Sequence, residues 1–387
     1  MIEQLKVELA ERAQAGLKRK RRLLKSPQSA YLVADGQRLL SFASNDYLGL
    51  ANHPELISAL QNGASKAGVG GGASHLITGH HQFHHDAEQA LASFVGLPAG
   101  LLFSTGYMAN MGVVAALLGR NDAIFADKLN HASLNDAAVL ARAALNRYAH
   151  QDLAQLEKML AASNAPRKLV IVDAVFSMDG DIAPVPELLS LCEKYDAYLL
   201  LDDAHGFGVL GEQGRGILNH FNMASPRIIY MATLGKAAGV AGAFIAGDTT
   251  IIEYLIQSAK TYIYTTASPP ALAAALVAAV NVMQKDEERH QHLRELIVYF
   301  KENLSLKKWQ LMPSDTAIQP VVVGINEAAM SLSEYLLTRA ILVPAIRPPT
   351  VPKKTARLRI SLSAAHQLDD VKLLIQYLHE AEQALFA

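Results

Sequence analysis

Cysteine is almost absent: Cys192 stands alone among 387 residues, which rules out a disulfide framework and fits a reducing compartment. Long apolar runs are missing too, since none approaches the roughly eighteen residues that a membrane-spanning helix needs. Charge of one sign is not in excess. Thirty-five Lys and Arg against thirty-six Asp and Glu leave a net charge of −1, so nothing in the bulk points to nucleic acid or an anionic membrane as a partner. The one basic cluster, Lys18-Arg19-Lys20-Arg21-Arg22, is short and local. No Gly-x-Ser-x-Gly elbow and no P-loop is present, which argues against acyl-serine and phosphoryl-transfer chemistry. The opening residues Met1-Ile2-Glu3-Gln4-Leu5-Lys6 carry charge where a secretory leader would be apolar, and the expected location is cytoplasmic. What the chain does have is apolar mass, 51% against 18% charged, ample for a large core.

The pattern along the chain predicts three parts. Residues 1–50 begin with an amphipathic helix over 1–20, with Leu5, Leu9, Ala13 and Leu17 on one face, and continue as an extended segment to Ser44-Asn45-Asp46-Tyr47-Leu48-Gly49-Leu50. Residues 51–280 alternate helical stretches with apolar runs of four to seven residues, the βαβ rhythm of an α/β domain with a mostly parallel sheet. The clearest strands are 100–104, 123–127, 168–173, 197–202, 227–232 and 242–246. Near 280 the rhythm changes, and residues 281–387 read as a smaller α+β domain: an Ala-rich helix (269–284) passes into a charged one (286–304), then come strands near 318–323 and 356–362 and a closing helix 367–385.

Three of the apolar runs end in polar clusters. Leu169-Val170-Ile171-Val172 leads to Ser177-Met178-Asp179-Gly180, Leu199-Leu200-Leu201 to Asp202-Asp203-Ala204-His205-Gly206, and Ile228-Ile229-Tyr230-Met231-Ala232 to Thr233-Leu234-Gly235-Lys236. Open α/β sheets bind ligands at that edge. An amine facing a carboxylate and an imidazole there suits an aldehyde cofactor held on Lys236 as a Schiff base. Small neighbours (Gly235, Ala237, Ala238, Gly239) let a planar group approach the backbone, and partial burial near other cations makes a lysine nucleophilic. Asp202 reads as the partner of a pyridine nitrogen, keeping it protonated, against a plain helix cap. His205 would reach the ring's phenolic oxygen. Ser104-Thr105-Gly106-Tyr107 closes one strand and opens a helix, a phosphate site or an ordinary N-cap. Thr233 would add a hydroxyl to that phosphate, as would Thr265 or Thr266, reaching in from a second subunit. His131 would stack on a flat ring and act as an acid, or merely cap the helix from Ser133.

Two other motifs are weaker. Gly68-Val69-Gly70-Gly71-Gly72 does not follow a strand, so it reads as a substrate-side loop rather than a dinucleotide fingerprint. His80, His81, His84 and His85 have helical metal-ligand spacing but no Cys or acidic set beside them, and no metal is expected.

Together with Phe176-Ser177-Met178-Asp179-Gly180-Asp181 and Ala345-Ile346-Arg347-Pro348-Pro349-Thr350-Val351-Pro352, these motifs resemble the α-oxoamine synthases from about Gly16 to the final helix. The resemblance implies the aspartate-aminotransferase-like fold (fold type I) with a seven-stranded sheet, pyridoxal 5'-phosphate as cofactor, and a homodimer with a shared site. Within the family, Asp202-Asp203-Ala204-His205-Gly206 and the Arg-Pro-Pro-Thr-Val-Pro run look like the biotin-pathway branch, which joins L-alanine to a pimeloyl thioester of coenzyme A or a carrier protein. The alternative is a sister branch that uses glycine. By position, the resemblance implies that Lys236 carries the cofactor, that Asp202, His205, Ser177, His131, Gly106, Tyr107 and Thr233 surround it, that Arg347 grips the amino-acid carboxylate with Asn45 beside it, and that Thr350 and Arg19 (or its neighbours Arg21 or Arg22) contact the acyl substrate. Phe207 and Ala237-Ala238 depart from the family's commoner residues.

Overall fold

A computed structural model describes residues 1–14 and 17–385. Its centre is a seven-stranded sheet in the order Ala99–Phe103, Ala243–Gly247, Ile228–Thr233, Tyr198–Asp202, Lys168–Asp173, Ala123–Asp127, Ala144–Tyr148. All neighbours run parallel except Ala243–Gly247, which is antiparallel to both of its own. Side chains alternate across a strand, and the apolar runs serve two cores at once. Ile124, Ile171 and Leu200 face a core covered by the helices Gly106–Leu117, Ala132–Ala141 and Thr249–Ser258. Phe125, Val170, Val172, Leu199 and Leu201 face the larger core on the other side. That double burial is why these strands are uninterrupted apolar runs rather than alternating ones. Four of the parallel strands finish in Asp127, Asp173, Asp202 and Thr233 at one edge of the sheet.

The later residues form a four-stranded antiparallel sheet ordered Gln310–Leu311, Ile318–Gly324, Ala356–Ser361, Ala345–Ile346. A separate three-stranded sheet pairs Tyr31–Ala34 with Gln37–Ser41, and the latter runs parallel to Ile341–Leu342. The extended N-terminal segment is therefore stitched to the C-terminal part of the chain.

Two local expectations need correction. The first helix spans Ile2–Gln14 rather than 1–20, and Leu17 to Arg22 are non-helical, because five adjacent cations repel one another along a helix. Residues 15 and 16 lie outside the described part. The sheet has a strand, Ala144–Tyr148, that periodicity does not single out, because Asn146 and Arg147 dilute it at the sheet's edge. The Ala-rich and charged helices are the two expected: Pro270–Lys285 stops at Asp286, whose carboxylate accepts the backbone N–H of Arg289 and opens Glu287–Asn303.

Candidate active site

Lys236 lies just past the strand Ile228–Thr233 in a tight turn, closed by Gly239 N–H to Lys236 O at 2.9 Å and Val240 N–H to Leu234 O at 2.9 Å. Gly239 has φ of +68°, and a Cβ there would lie 2.5 Å from the Leu50 carbonyl carbon, so only glycine lets the turn rest on that segment. The Lys236 amine is 3.0 Å from His205 Nε2, and His205 Nδ1 is 2.6 Å from the Tyr47 hydroxyl. Burial lowers the Lys236 pKa to about 8, against the opposing pull of Asp202 and Asp173. Burial, helped by the Lys236 charge, holds His205 well below the usual histidine value, so its ring is neutral.

Asp202 is the last residue of its strand and is 4% exposed. Its Oδ2 accepts from Asn110 Nδ2 at 2.8 Å and its Oδ1 from the Ala204 N–H at 3.1 Å. Burial pushes its pKa up, while Lys236, the Asn110 hydrogen bond and His131 pull it down. Asn110 also donates to Ser133 Oγ at 2.9 Å, which ties Asp202 to the helix that His131 caps. His131 caps the helix, as one of the two readings had it, and also faces the cavity. Its Nδ1 accepts the Ser133 N–H at 3.2 Å, and its ring borders the same cavity as Asp202 and Lys236. Since Nδ1 is an acceptor, the neutral ring carries its proton on Nε2.

That cavity is lined by Gly106, Tyr107, His131, Ser177, Asp202, His205, Thr233 and Lys236, eight of the expected residues from five chain segments. Gly106 opens the helix Gly106–Leu117, whose cap Thr105 accepts the Met108 N–H at 3.2 Å. A Cβ on Gly106 would meet Thr233 Cγ2 at 2.6 Å. Thr265 and Thr266 do not line their own chain's cavity: Thr266 is exposed and bridges to Ser74. Arg19, Arg347 and Thr350 meet in a second cavity of about 670 Å³, with Leu9 and Arg12 of the first helix.

Arg359 and Asp173 were not anticipated. Arg359 is 5% exposed, and its guanidinium donates to Asn45 Oδ1 (3.1 Å), the Tyr47 hydroxyl (3.3 Å), Ser361 Oγ (2.8 Å) and the Ser177 carbonyl (2.6 Å). The guanidinium bonded to Asn45 is therefore Arg359. Two residues earlier, Arg357 pairs with Asp179 at 2.6 Å, so both arginines hold the loop that carries Ser177. Two arginines at i and i+2 in an otherwise apolar strand share one face, and that was the available signal. Asp173 ends the strand beside Asp202 and borders the cavity; its Oδ2 accepts the His131 N–H at 2.9 Å. Burial and the adjacent Asp202 hold its pKa well above the carboxylate range.

His75, His80 and His84 bring ring nitrogens within 4.8 Å of one another. Both nitrogens of His84 already serve the backbone, Nδ1 accepting the His81 N–H at 3.0 Å and Nε2 lying 2.9 Å from Ser268 O.

These donors fit pyridoxal phosphate. A lysine of lowered pKa, a buried carboxylate one strand away, a helix N-terminus kept open by glycine, and a buried Asp173 Oδ1 without a partner among the described residues answer its aldehyde, ring nitrogen, phosphate and polar rim. Comparison with known proteins agrees. A family model described as aminotransferase class I and II matches residues 37–378. The chain is 63% identical over 384 residues to an 8-amino-7-oxononanoate synthase of Methylobacillus flagellatus (99% of this chain, 97% of the relative), and 61% identical over 381 residues to that of Nitrosospira multiformis (98% and 96%). Among solved structures, a serine palmitoyltransferase from S. paucimobilis with a bound PLP adduct superposes with TM-score 0.92 at 27% identity (98% of this chain, 97% of that one). The 8-amino-7-oxononanoate synthase of Francisella tularensis superposes with TM-score 0.78 at 31% identity (90% and 98%).

Proposed function

Because this chain belongs to the 8-amino-7-oxononanoate synthases, pyridoxal-phosphate acyltransferases of biotin synthesis with the fold type I architecture, we propose that it joins L-alanine to a pimeloyl thioester of coenzyme A or a carrier protein. Bound pyridoxal phosphate supplies an electron sink for the pair left on Cα. Lys236 would hold the cofactor and would take the Cα proton; its lowered pKa leaves a larger neutral fraction near neutrality than an ordinary lysine has. Asp202 keeps the pyridine nitrogen protonated, and that pairing also relieves its own buried charge. His205 and Ser177 attend the ring oxygen, while Gly106, Tyr107 and Thr233 receive the phosphate. His131, with its proton on Nε2, stacks on the ring and assists the thioester carbonyl. Arg347 orients the amino-acid carboxylate, with Asn45, itself held by Arg359, beside it, and Arg19 and Thr350 the acyl chain. In the reaction the alanine Cα bonds to the acyl carbon, the C–S bond breaks and the thiol leaves. The carboxylate then departs as CO2, and Cα takes back a proton.

The observation that carries this reading is that Lys236, Asp202, His131 and the Gly106 helix end border one cavity. Lys236→Ala should lose roughly 10²–10⁴-fold in turnover together with the lysine-linked visible absorption. Parent-like turnover in that variant overturns it. Offering alanine and glycine with pimeloyl and shorter thioesters, and measuring thiol release, tests the substrates; preference for glycine would assign the chain to a sister activity. The exposed Thr266 and part-exposed Thr265, which do not line their own chain's cavity, support a homodimer in which each protomer completes the other's phosphate site. The lone buried Cys192 supports a cytoplasmic site of work, and no helix of the described residues is long and apolar enough to cross a membrane.

A further inference from the structure

His150 takes no part in the chemistry above, yet two segments of the site converge on it. It follows the edge strand Ala144–Tyr148. Its Nδ1 is 3.2 Å from both carboxylate oxygens of Asp127, and its Nε2 is 2.9 Å from Asp181 Oδ2. A neutral imidazole has one N–H and would turn a lone pair toward one of these acids, whereas an imidazolium donates to both. Burial works against the charge, but the hydrogen bonds and charges of Asp127 and Asp181 outweigh it and raise the His150 pKa to about 10. The ring stands edge-on to Phe176, with centroids 4.4 Å apart.

Each acid anchors a segment that leads into the cofactor cavity. Asp127 is 1% exposed; it also accepts the Leu129 N–H at 2.8 Å and the Gln151 N–H at 2.9 Å, fixing the turn from Asp127 to His131. Asp181 also accepts from Gln151 Nε2 at 2.6 Å, and its carbonyl accepts the Phe176 N–H at 3.0 Å, closing the loop that presents Ser177. Gln151 itself sits at φ of +57°, a left-handed conformation that surrounding contacts must hold in place.

We propose that His150 is a positioning residue of this enzyme: as an imidazolium strut between Asp127 and Asp181 it fixes the 127–131 and 176–182 segments, and through them the His131 ring and the Ser177 hydroxyl against the cofactor. This rests on the assignment of the cavity to pyridoxal phosphate. Displacing reacting groups by about 1 Å costs on the order of 100-fold, which sets the expected size of the effect.

The test compares His150→Ala and His150→Gln with the parent, with and without cofactor. In the cofactor-free protein, His150→Ala should speed hydrogen exchange across 127–131 and 176–182 while strands 198–202 and 228–233 stay protected. Loaded with cofactor, it should keep the lysine-linked absorption but lose about 100-fold in kcat per bound cofactor, with His150→Gln losing less. Added imidazole should restore about 10-fold of the loss, because the gap lies between two carboxylates that would hold it as imidazolium. A kcat per bound cofactor within about twofold of the parent, whatever the melting temperature, would overturn the proposal, as would unchanged exchange in both segments. Failure of both variants to fold would assign His150 to stability alone and reject the positioning role. If the parent lacked the lysine-linked absorption, the cofactor reading would fall first, and the exchange measurement would still judge the strut.

Discussion

The Lys236 amine is the residue on which the chemistry turns, and its surroundings give it a measurable signature. Burial brings its pKa down to about 8, and the buried acids Asp202 and Asp173 keep it from falling further. Attack on an aldehyde needs the neutral amine, so cofactor uptake by cofactor-free protein should rise about tenfold per pH unit below 8 and level off above it. An uptake rate that is flat with pH, or still climbing at the pKa of an ordinary lysine, would contradict this; stopped-flow absorbance decides. Arg359 offers a second test. Its guanidinium serves Asn45, Tyr47, Ser361 and the Ser177 carbonyl at once, which the point charge of a lysine does not reproduce. Arg359→Lys should lower kcat/KM for the amino acid about 10- to 100-fold, and a steady-state series in alanine would register it. At this scale the apolar runs pointed to the cavity-lining Asp202, Ser177 and Lys236 at or beyond their ends, but Asp173, which closes one such run directly, was missed. The sequence was opaque for Arg359 and Tyr47, whose partners are more than 100 positions away, at Ser177 and His205. Their meaning is created by the fold, not by spacing.

Elements were legible in proportion to how deeply they are buried. The central strands announce themselves because both faces meet a core. The edge strand Ala144–Tyr148 was hidden because only Tyr148 in it is fully buried. The opposite edge shows how such a strand is closed. Ala99–Phe103 turns the Leu102 N–H outward to Glu88 Oε1 at 2.9 Å, on the helix Gln82–Phe94. Burial raises the Glu88 pKa to about 8, although that N–H favours the charge. A folded-state pKa above the unfolded one means that the protonated form stabilises the fold. The contribution is complete below the unfolded carboxylate pKa and is lost as pH rises through about 8. Glu88→Gln keeps the acceptor and abolishes the titration. It should therefore flatten the melting temperature from about pH 5 to about pH 9 and exceed the parent by several degrees at the upper end. A differential scanning fluorimetry series settles it; a parallel decline in both proteins would show that Glu88 is not the titrating group.

At the scale of the whole molecule, the resemblance of the motifs was enough to give the fold type, but not how the pieces meet. The strand Gln37–Ser41 lies parallel to Ile341–Leu342, and Tyr31 donates to Asp370 at 2.5 Å, so the two ends of the chain form one body. The face around Thr265 and Thr266 bears on the number of chains in a working site. Ala267 N–H bonds to Ala73 O at 2.9 Å and Thr266 bridges to Ser74, which fixes this segment while leaving the Thr266 side of it open. If a partner's cavity receives these hydroxyls, two inactive proteins should repair one another. A Lys236→Ala protomer keeps its threonines, and a Thr265→Val/Thr266→Val protomer keeps its lysine. In their hybrid dimer one site combines the intact lysine of one chain with the intact threonines of the other, and the second site combines both defects. Random reassortment makes half the dimers hybrid, each with one native site of two, so co-refolding should return roughly a quarter of parental activity. Were the threonines to serve their own chain, every site would carry a defect and mixing would restore nothing.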